Sequence, residues 1–319
     1  MGLTGIRGQG ECDPSAAQRG EGRPEAEARH GPGGEGKDPR ARIREALTQL
    51  ARTGRLPALP GVASTALAIS RDPDADVQVL ARVLQTDVGL TARVLRVANS
   101  AAYGRRLQAR SVQEAVTTLR LRKTCDILVA ISVRQFFLGS GAHATSLWNH
   151  SLAVAVAAEE IAQRTRRVAP GTAFLPGLFH DIGRIAFMLA DQESFERLQQ
   201  RIAAGEGPGS VLERECYEFD HAQVGGILAE DWGLVPEQCD AIRFHHEPDW
   251  ADNARELATV INGADRLAYL IGVGAHPQAL DAQPPQDVSL DTFGLSAEEE
   301  AACAARVREA YDAQRQLIG

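Results

Sequence analysis

Residues 76–119 read DVQVLARVLQTDVGLTARVLRVANSAAYGRRLQARSVQEAVTTL, and their apolar positions recur at helical rather than strand spacing. Val77, Leu80 and Leu84 form one stripe behind an Asp76 cap. Leu90, Val94, Val97 and Ala98 form the next, which ends at Asn99-Ser100 or at the Tyr103-Gly104 turn. Ser111-Val112-Gln113-Glu114 then has the form of a capping box, in which two side chains satisfy orphan backbone donors before Ala115, Val116 and Leu119 enter the core. Three short helices in succession, with no strand between them, point to an all-α protein.

The same periodicity extends in both directions. Upstream, ARIREALTQLART (41–53) puts Ile43, Leu47 and Leu50 on one face, with Gly54 as a stop, and a helix over Val62–Ser70 follows LPALP (56–60). Downstream, Ile127–Phe137 is ambiguous by period alone, and its helical neighbours decide it. Helices are then expected over Leu147–Thr165, Ala173–Ala190, Phe195–Ala204, His221–Trp232, Pro236–His246 and Ala254–Ile271. No stretch alternates with period two and no repeat of fixed length is evident, which disfavours sheets and solenoids. The expected fold is a multi-helix bundle with an N-terminal helical lobe over 40–145 and a second helical lobe over 146–275. Gly139, Ser140 and Gly141 fall in the break between them, at Leu138–Thr145.

Both ends read differently. Residues 1–39 hold ten Gly and four Pro, with Met1, Leu3 and Ile6 as the large aliphatics, so a disordered tail is expected. Residues 276–319 read as a flexible linker and a last helix capped by Ser296 and Glu299. Its thin stripe of Cys303, Val307 and Tyr311 predicts loose packing, and a surface for a partner or for self-association.

Composition narrows the class. Hydrophobic residues make up 44% and charged residues 24% of the 319, which is ordinary globular usage. The longest uninterrupted apolar run, Leu152–Ala158, is far short of the roughly 20 residues that cross a bilayer, so no membrane span is expected. The N-terminus lacks the apolar core of a secretory peptide, and five cysteines without a CxxC pair suggest reduced thiols; both readings place the chain in the cytoplasm. The net charge of -8 divides unevenly: residues 40–145 carry 16 basic and 7 acidic groups, whereas 146–275 carry 10 and 20. Mutual complementation of the two lobes explains this better than a nucleic-acid surface, because the basic half lacks interleaved aromatics or a purely basic helix face.

The second lobe also carries a constellation: His150, His180-Asp181, His221, His245-His246 and Asp265. Imidazole with carboxylate suits iron(II), manganese or zinc, and several helices around a cleft could hold a mononuclear or binuclear site. Each member has a bland reading too. His150 could be a helix-packing histidine, and His245-His246 could cap a helix C-terminus. His143 and His276 fall in expected loops and receive no role.

At these residues the chain resembles the HDOD domain, the output-type relative of the HD phosphohydrolase superfamily. The resemblance runs from about 55 to 272 through LPALP (56–60), LQTDVGLTARVLRVANSAAYG (84–104), SVQEAVTTL (111–119), LWNHSLAVA (147–155), GLFHDIGR (177–184), HAQVGGILAEDWGLVP (221–236), FHHEP (244–248) and INGADRLA (261–268). It implies an all-α fold in which an HD-type bundle follows the N-terminal lobe, and a regulatory or signalling role. Carried over from active HD enzymes, it also implies metal ligation by His150, His180, Asp181, His221, His245, His246 and Asp265.

Three departures separate the chain from the related HD-GYP enzymes, which hydrolyse cyclic di-GMP. The expected Gly-Tyr-Pro is replaced by EPDWADNAREL (247–257), Ser146 stands where those enzymes place an acidic ligand, and Arg184 follows HDIG where they have lysine. Arg184 could still hold a phosphate bidentately. The reading preferred from sequence is therefore a signalling module that binds partner proteins or a nucleotide or phosphate ligand, without catalysis. The alternative is a metal-dependent phosphohydrolase acting on a nucleotide or cyclic dinucleotide, with Asp181 and Arg184 in its active site. A nucleic-acid surface on the basic lobe, including Arg93, Arg96, Arg105 and Arg106, is the weakest reading.

Overall fold

The computed structural model describes residues 38–56, 58–72, 74–75, 77–85, 87–100, 108–138, 141–273 and 290–318, and every regular element among them is a helix. Residues 1–37 of the expected N-terminal tail, the Asp76 cap, the Tyr103-Gly104 turn, Arg105, Arg106, His276 and residues 276–289 of the expected linker lie outside the described residues, while Asp38 and Pro39 cap and open the first helix. The first half comprises α1 (Pro39–Arg52), α2 (Gly61–Arg71), α3 (Val77–Gln85), α4 (Val88–Ala98), α5 (Val112–Leu119) and α6 (Leu121–Val133). Then follow α7 (Gly141–Thr165), α8 (Phe174–Phe179), α9 (Ile182–Ala190), α10 (Gln192–Ala203), α11 (Gly209–Tyr217), α12 (His221–Asp231), α13 (Pro236–Arg243), α14 (Arg255–Leu270) and α15 (Ala297–Ile318).

Local chemistry sets several boundaries. Asp87 caps α4 by accepting from the Leu90 amide at 3.0 Å. Asn99, just past the end of α4, donates to the Ala109 carbonyl at 3.0 Å and accepts from the Ala109 amide at 2.6 Å, which ties the two ends of the intervening segment together. The expected box at Ser111 forms in altered shape. Ser111 accepts from the Glu114 amide at 3.2 Å, but Glu114 reaches the amide of Arg110 at 2.7 Å rather than that of Ser111. A reciprocal capping box does form at the start of α12, between Asp220 and Gln223.

One continuous apolar cluster runs through both halves. α2 packs along α6, while the long α7 is enclosed by α8, α14 and α15. Its Leu152, Ala155, Ala158 and Ile161 are fully buried. The halves are also joined electrostatically. Arg40 and Arg44 of α1 pair with Glu230, Arg44 also pairs with Asp231, Arg42 pairs with Glu218, and Lys123 of α6 pairs with Glu159 of α7. Much of the excess basic charge thus answers the acidic half, as mutual complementation requires.

α1 packs on α9 and α12. Several expectations are corrected. α7 starts at Gly141, inside the expected break, and carries His143 in helix beside the Phe195 ring. The helix expected over Ala173–Ala190 is two helices divided at His180-Asp181, and α13 stops at Arg243, so His245 and His246 follow it in a turn. α11 was not anticipated.

The largest correction concerns α15. It lies against α7, α4 and α6 with Cys303 and Val307 fully buried and Tyr311 at 2% exposure, so it is a core helix and offers no surface for self-association there. Cys125, Cys216, Cys239 and Cys303 are buried.

Candidate metal centre

Two glycines bring the site together. A Cβ on Gly177 of α8 would lie 2.9 Å from the Ala155 Cα of α7, so α8 can approach α7 closely only with glycine here. A Cβ on Gly183, in the first turn of α9, would lie 2.1 Å from the His221 carbonyl oxygen, an impossible contact. The glycines flank His180-Asp181: the first draws His180 towards His150 on α7, the second draws Asp181 towards His221 at the start of α12. His245 and His246 enter from the turn after α13, where the His245 carbonyl accepts from Asn262 Nδ2 of α14 at 2.7 Å. Asp265 enters from α14 itself.

All seven residues singled out in the sequence meet in this one place. His150 Nε2 lies 2.9 Å from Asp265 Oδ1 and 4.0 Å from Asp181 Oδ2. His180 Nε2 lies 3.5 Å from Asp181 Oδ2 and 4.0 Å from Asp265 Oδ1. His221 Nε2 lies 3.1 Å from Asp181 Oδ1 and 3.0 Å from His246 Nε2. Three overlapping sets have ligand atoms within 4.8 Å of one another: His150, His180 and Asp265; His180, Asp181 and His245; and His221, His245 and His246.

The tautomers follow from the hydrogen bonds. His180 Nδ1 faces the Gly177 carbonyl at 2.8 Å and His245 Nδ1 faces the Ile242 carbonyl at 2.7 Å. A carbonyl can only accept, so both rings carry their proton on Nδ1 and present a lone pair at Nε2. Those two Nε2 atoms are buried without a hydrogen-bond donor. A buried unsatisfied acceptor is costly, and these two point towards carboxylates that cannot donate. A cation between them would satisfy both.

Electrostatics sort the ligands. Burial, with His180 and His221 nearby, pushes His245 down to about 3, and burial also lowers His180 and His246, so these rings are neutral. Burial opposes ionisation of Asp265, but the hydrogen bond and charge of His150 outweigh it and hold Asp265 at about 2. At Asp181 burial is likewise outweighed by Arg184, His180 and His221, which keep it well below the carboxylate range. His150 and His221 go the other way. Burial disfavours their charge, yet Asp265 raises His150, and Glu213 with Asp181 raises His221 to about 10. A cation bound here would have to displace the protons that this environment favours on the two rings, since ligands must be deprotonated.

Two further residues complete the centre. Arg184 is 5% exposed, with Nη1 3.3 Å from Asp181 Oδ2 and Nε 3.3 Å from Glu213 Oε1, so its guanidinium lies between two carboxylates rather than facing a cleft. Glu213 of α11 was not singled out in the sequence. Leu212, Cys216 and Tyr217 define the buried face of α11, and a carboxylate in that stripe needs a buried partner.

A helical bundle that gathers imidazoles and carboxylates from five pieces of chain defines the HD type of site. The chain matches the HDOD domain over residues 56–248, and it belongs to that family. Its fold is similar to that of an HDOD domain protein of unknown function from Geobacter sulfurreducens (TM-score 0.68, 24% identity, covering 88% of this chain and 98% of that one). It is also similar to a proposed signal transduction protein from Marinobacter aquaeolei VT8 (0.67, 22%, 88% and 66%) and to a proposed metal-dependent phosphohydrolase from Shewanella amazonensis SB2B (0.61, 20%, 87% and 98%). At these identities the likeness is one of fold. An uncharacterized protein of Treponema pallidum (strain Nichols) is 27% identical over 210 residues, 64% of this chain, and the match spans 41% of that relative's length. No helix among the described residues is long and apolar enough to cross a membrane.

Proposed function

We propose that the chain is a signal-transducing HDOD module whose buried centre holds a divalent metal ion of the iron, manganese or zinc type. The observation that carries this reading is the pair of donor-less Nε2 lone pairs on His180 and His245: His180 Nε2 faces the carboxylates of Asp181 and Asp265, and His245 shares a ligand set with His180 and Asp181. His150, His180, Asp181, His245 and Asp265 would hold the metal, with His221 and His246 closing the set. A bound ion there would supply Lewis acidity and neutralise two ionised carboxylates.

A regulatory rather than catalytic use is supported by closure of the site. His150, His180, Asp181, His221 and His245 are each 5% exposed or less, and Arg184 is engaged by Asp181 and Glu213. The most accessible members are Asp265 and His246, and a signalling protein or a nucleotide or phosphate ligand would read the centre over them. Buried cysteines without a CxxC pair suit a reducing cytoplasm.

Metal-dependent phosphoester hydrolysis is the second reading, favoured by the completeness of the ligand set. Incubating the manganese-loaded protein with bis-p-nitrophenyl phosphate and with cyclic dinucleotides, beside a His180→Ala variant, separates the two. Turnover no greater than that of the variant is expected for a regulatory module; turnover that needs His180 would establish the enzyme.

A further inference from the structure

Glu213 belongs to none of the metal-ligating sets, yet it is fully buried and its contacts converge on the centre. Its Oε2 accepts from the His221 amide at 2.8 Å and from His221 Nδ1 at 2.5 Å. Its Oε1 faces Arg184 Nε at 3.3 Å, and the same guanidinium reaches Asp181 Oδ2 at 3.3 Å. One carboxylate therefore holds two groups, and both of these touch Asp181.

The arrangement differs from that of the neighbouring imidazoles. His180 and His245 donate Nδ1–H to main-chain carbonyls, whereas His221 donates to a carboxylate, a stronger acceptor that makes the opposite nitrogen a better electron donor. The His221 backbone is fixed as well, because Glu213 takes its amide while Gly183 lies against its carbonyl. An isolated buried carboxylate is costly, so its retention in the apolar stripe of α11 requires these partners.

On the metal-centre reading given above, we propose that Glu213 is the positioning residue of that centre: it fixes His221 as the Nδ1–H tautomer with Nε2 facing the ligand cluster, and through Arg184 it sets the Asp181 carboxylate.

The test uses the full chain and its near-isosteric Glu213→Gln variant. Manganese and zinc affinities are measured by chelator competition, and the His221 ring is followed by nitrogen-15 correlation spectroscopy in metal-free and zinc-loaded protein. The expected results are a 10- to 100-fold weaker metal affinity in the folded variant and, in the wild type, a His221 Nδ1 proton far downfield of an ordinary imidazole N–H that moves back on substitution. Wild-type affinity in a folded Glu213→Gln protein would overturn the proposal, as would a wild-type His221 whose zinc-loaded form carries its proton on Nε2. The wild-type spectrum keeps the test decisive if the variant does not fold. Should the wild type take up no metal, the metal-centre reading fails, while the downfield proton and its loss on substitution still decide whether Glu213 fixes His221.

Discussion

Asp126 of α6 shows how one residue outside the centre shapes stability. It is 1% exposed, neither carboxylate oxygen has a hydrogen-bond partner, and burial pushes it up to about 7, with Glu159 adding to the rise and Lys123 and Arg122 opposing it. Below about pH 4 the group is protonated folded or unfolded. Between about 4 and 7 only the folded state keeps the proton, so stability falls as pH rises through that window and the full cost is present above it. At about 1.4 kcal/mol per pH unit the cost reaches a few kcal/mol. Asp126→Asn should therefore exceed the wild type by that amount in denaturant titrations at pH 8 and approach it below about pH 4; a pH-independent difference would refute the assignment. Residues such as His180 and Asp265 were legible in the sequence because their chemistry is unusual on apolar helix faces. Asp126 and Glu213 were not, since a single acid in a helix reads as a solvated face until its neighbours are known to be buried.

Elements are held by close backbone approach and apolar faces more than by surface ion pairs. Gly183→Ala should cost about 3 kcal/mol or more, because its Cβ would meet the His221 carbonyl and α9 would have to move off α12. A thermal melt checks this, and a variant as stable as the wild type would show that the contact relaxes. The same approach explains why the break at His180-Asp181 escaped the sequence: AFLPGLFHDIGRIAFMLA (173–190) is apolar on both sides of that pair, and tertiary contact divides it there. α13 stops before His245 for a more local reason, as Pro248 disfavours helix just ahead of it. For α1 the magnitudes decide what holds it. Leu47 is 3% exposed, and Leu47→Ala should cost about 2–5 kcal/mol. Arg44 is 44% exposed, and Arg44→Gln should cost under about 1 kcal/mol, screened further by salt. Denaturation midpoints of the two variants in the opposite order would show that charge, not burial, docks the helix.

Among the described residues one apolar core runs through both halves, and α15 packs against it along α7, α4 and α6. The helical class and the two halves of opposite charge could be read from periodicity and residue counts, but the placement of α1 and α15 could not, because both pack on elements far away in sequence. Val307→Asp discriminates the observed packing from a surface role for α15. It buries an unpaired charge and should destabilise the chain by about 4 kcal/mol or more, whereas a surface residue would leave the melt unchanged and alter only the oligomeric state. The core surrounds the seven histidines and aspartates proposed to hold a metal ion. Elemental analysis of protein purified without nickel affinity, beside an Asp181→Ala variant, tests that proposal most directly. Stoichiometric iron, manganese or zinc in the wild type that disappears in the variant is the predicted result; a well-folded wild type that contains no metal and takes none up would contradict it.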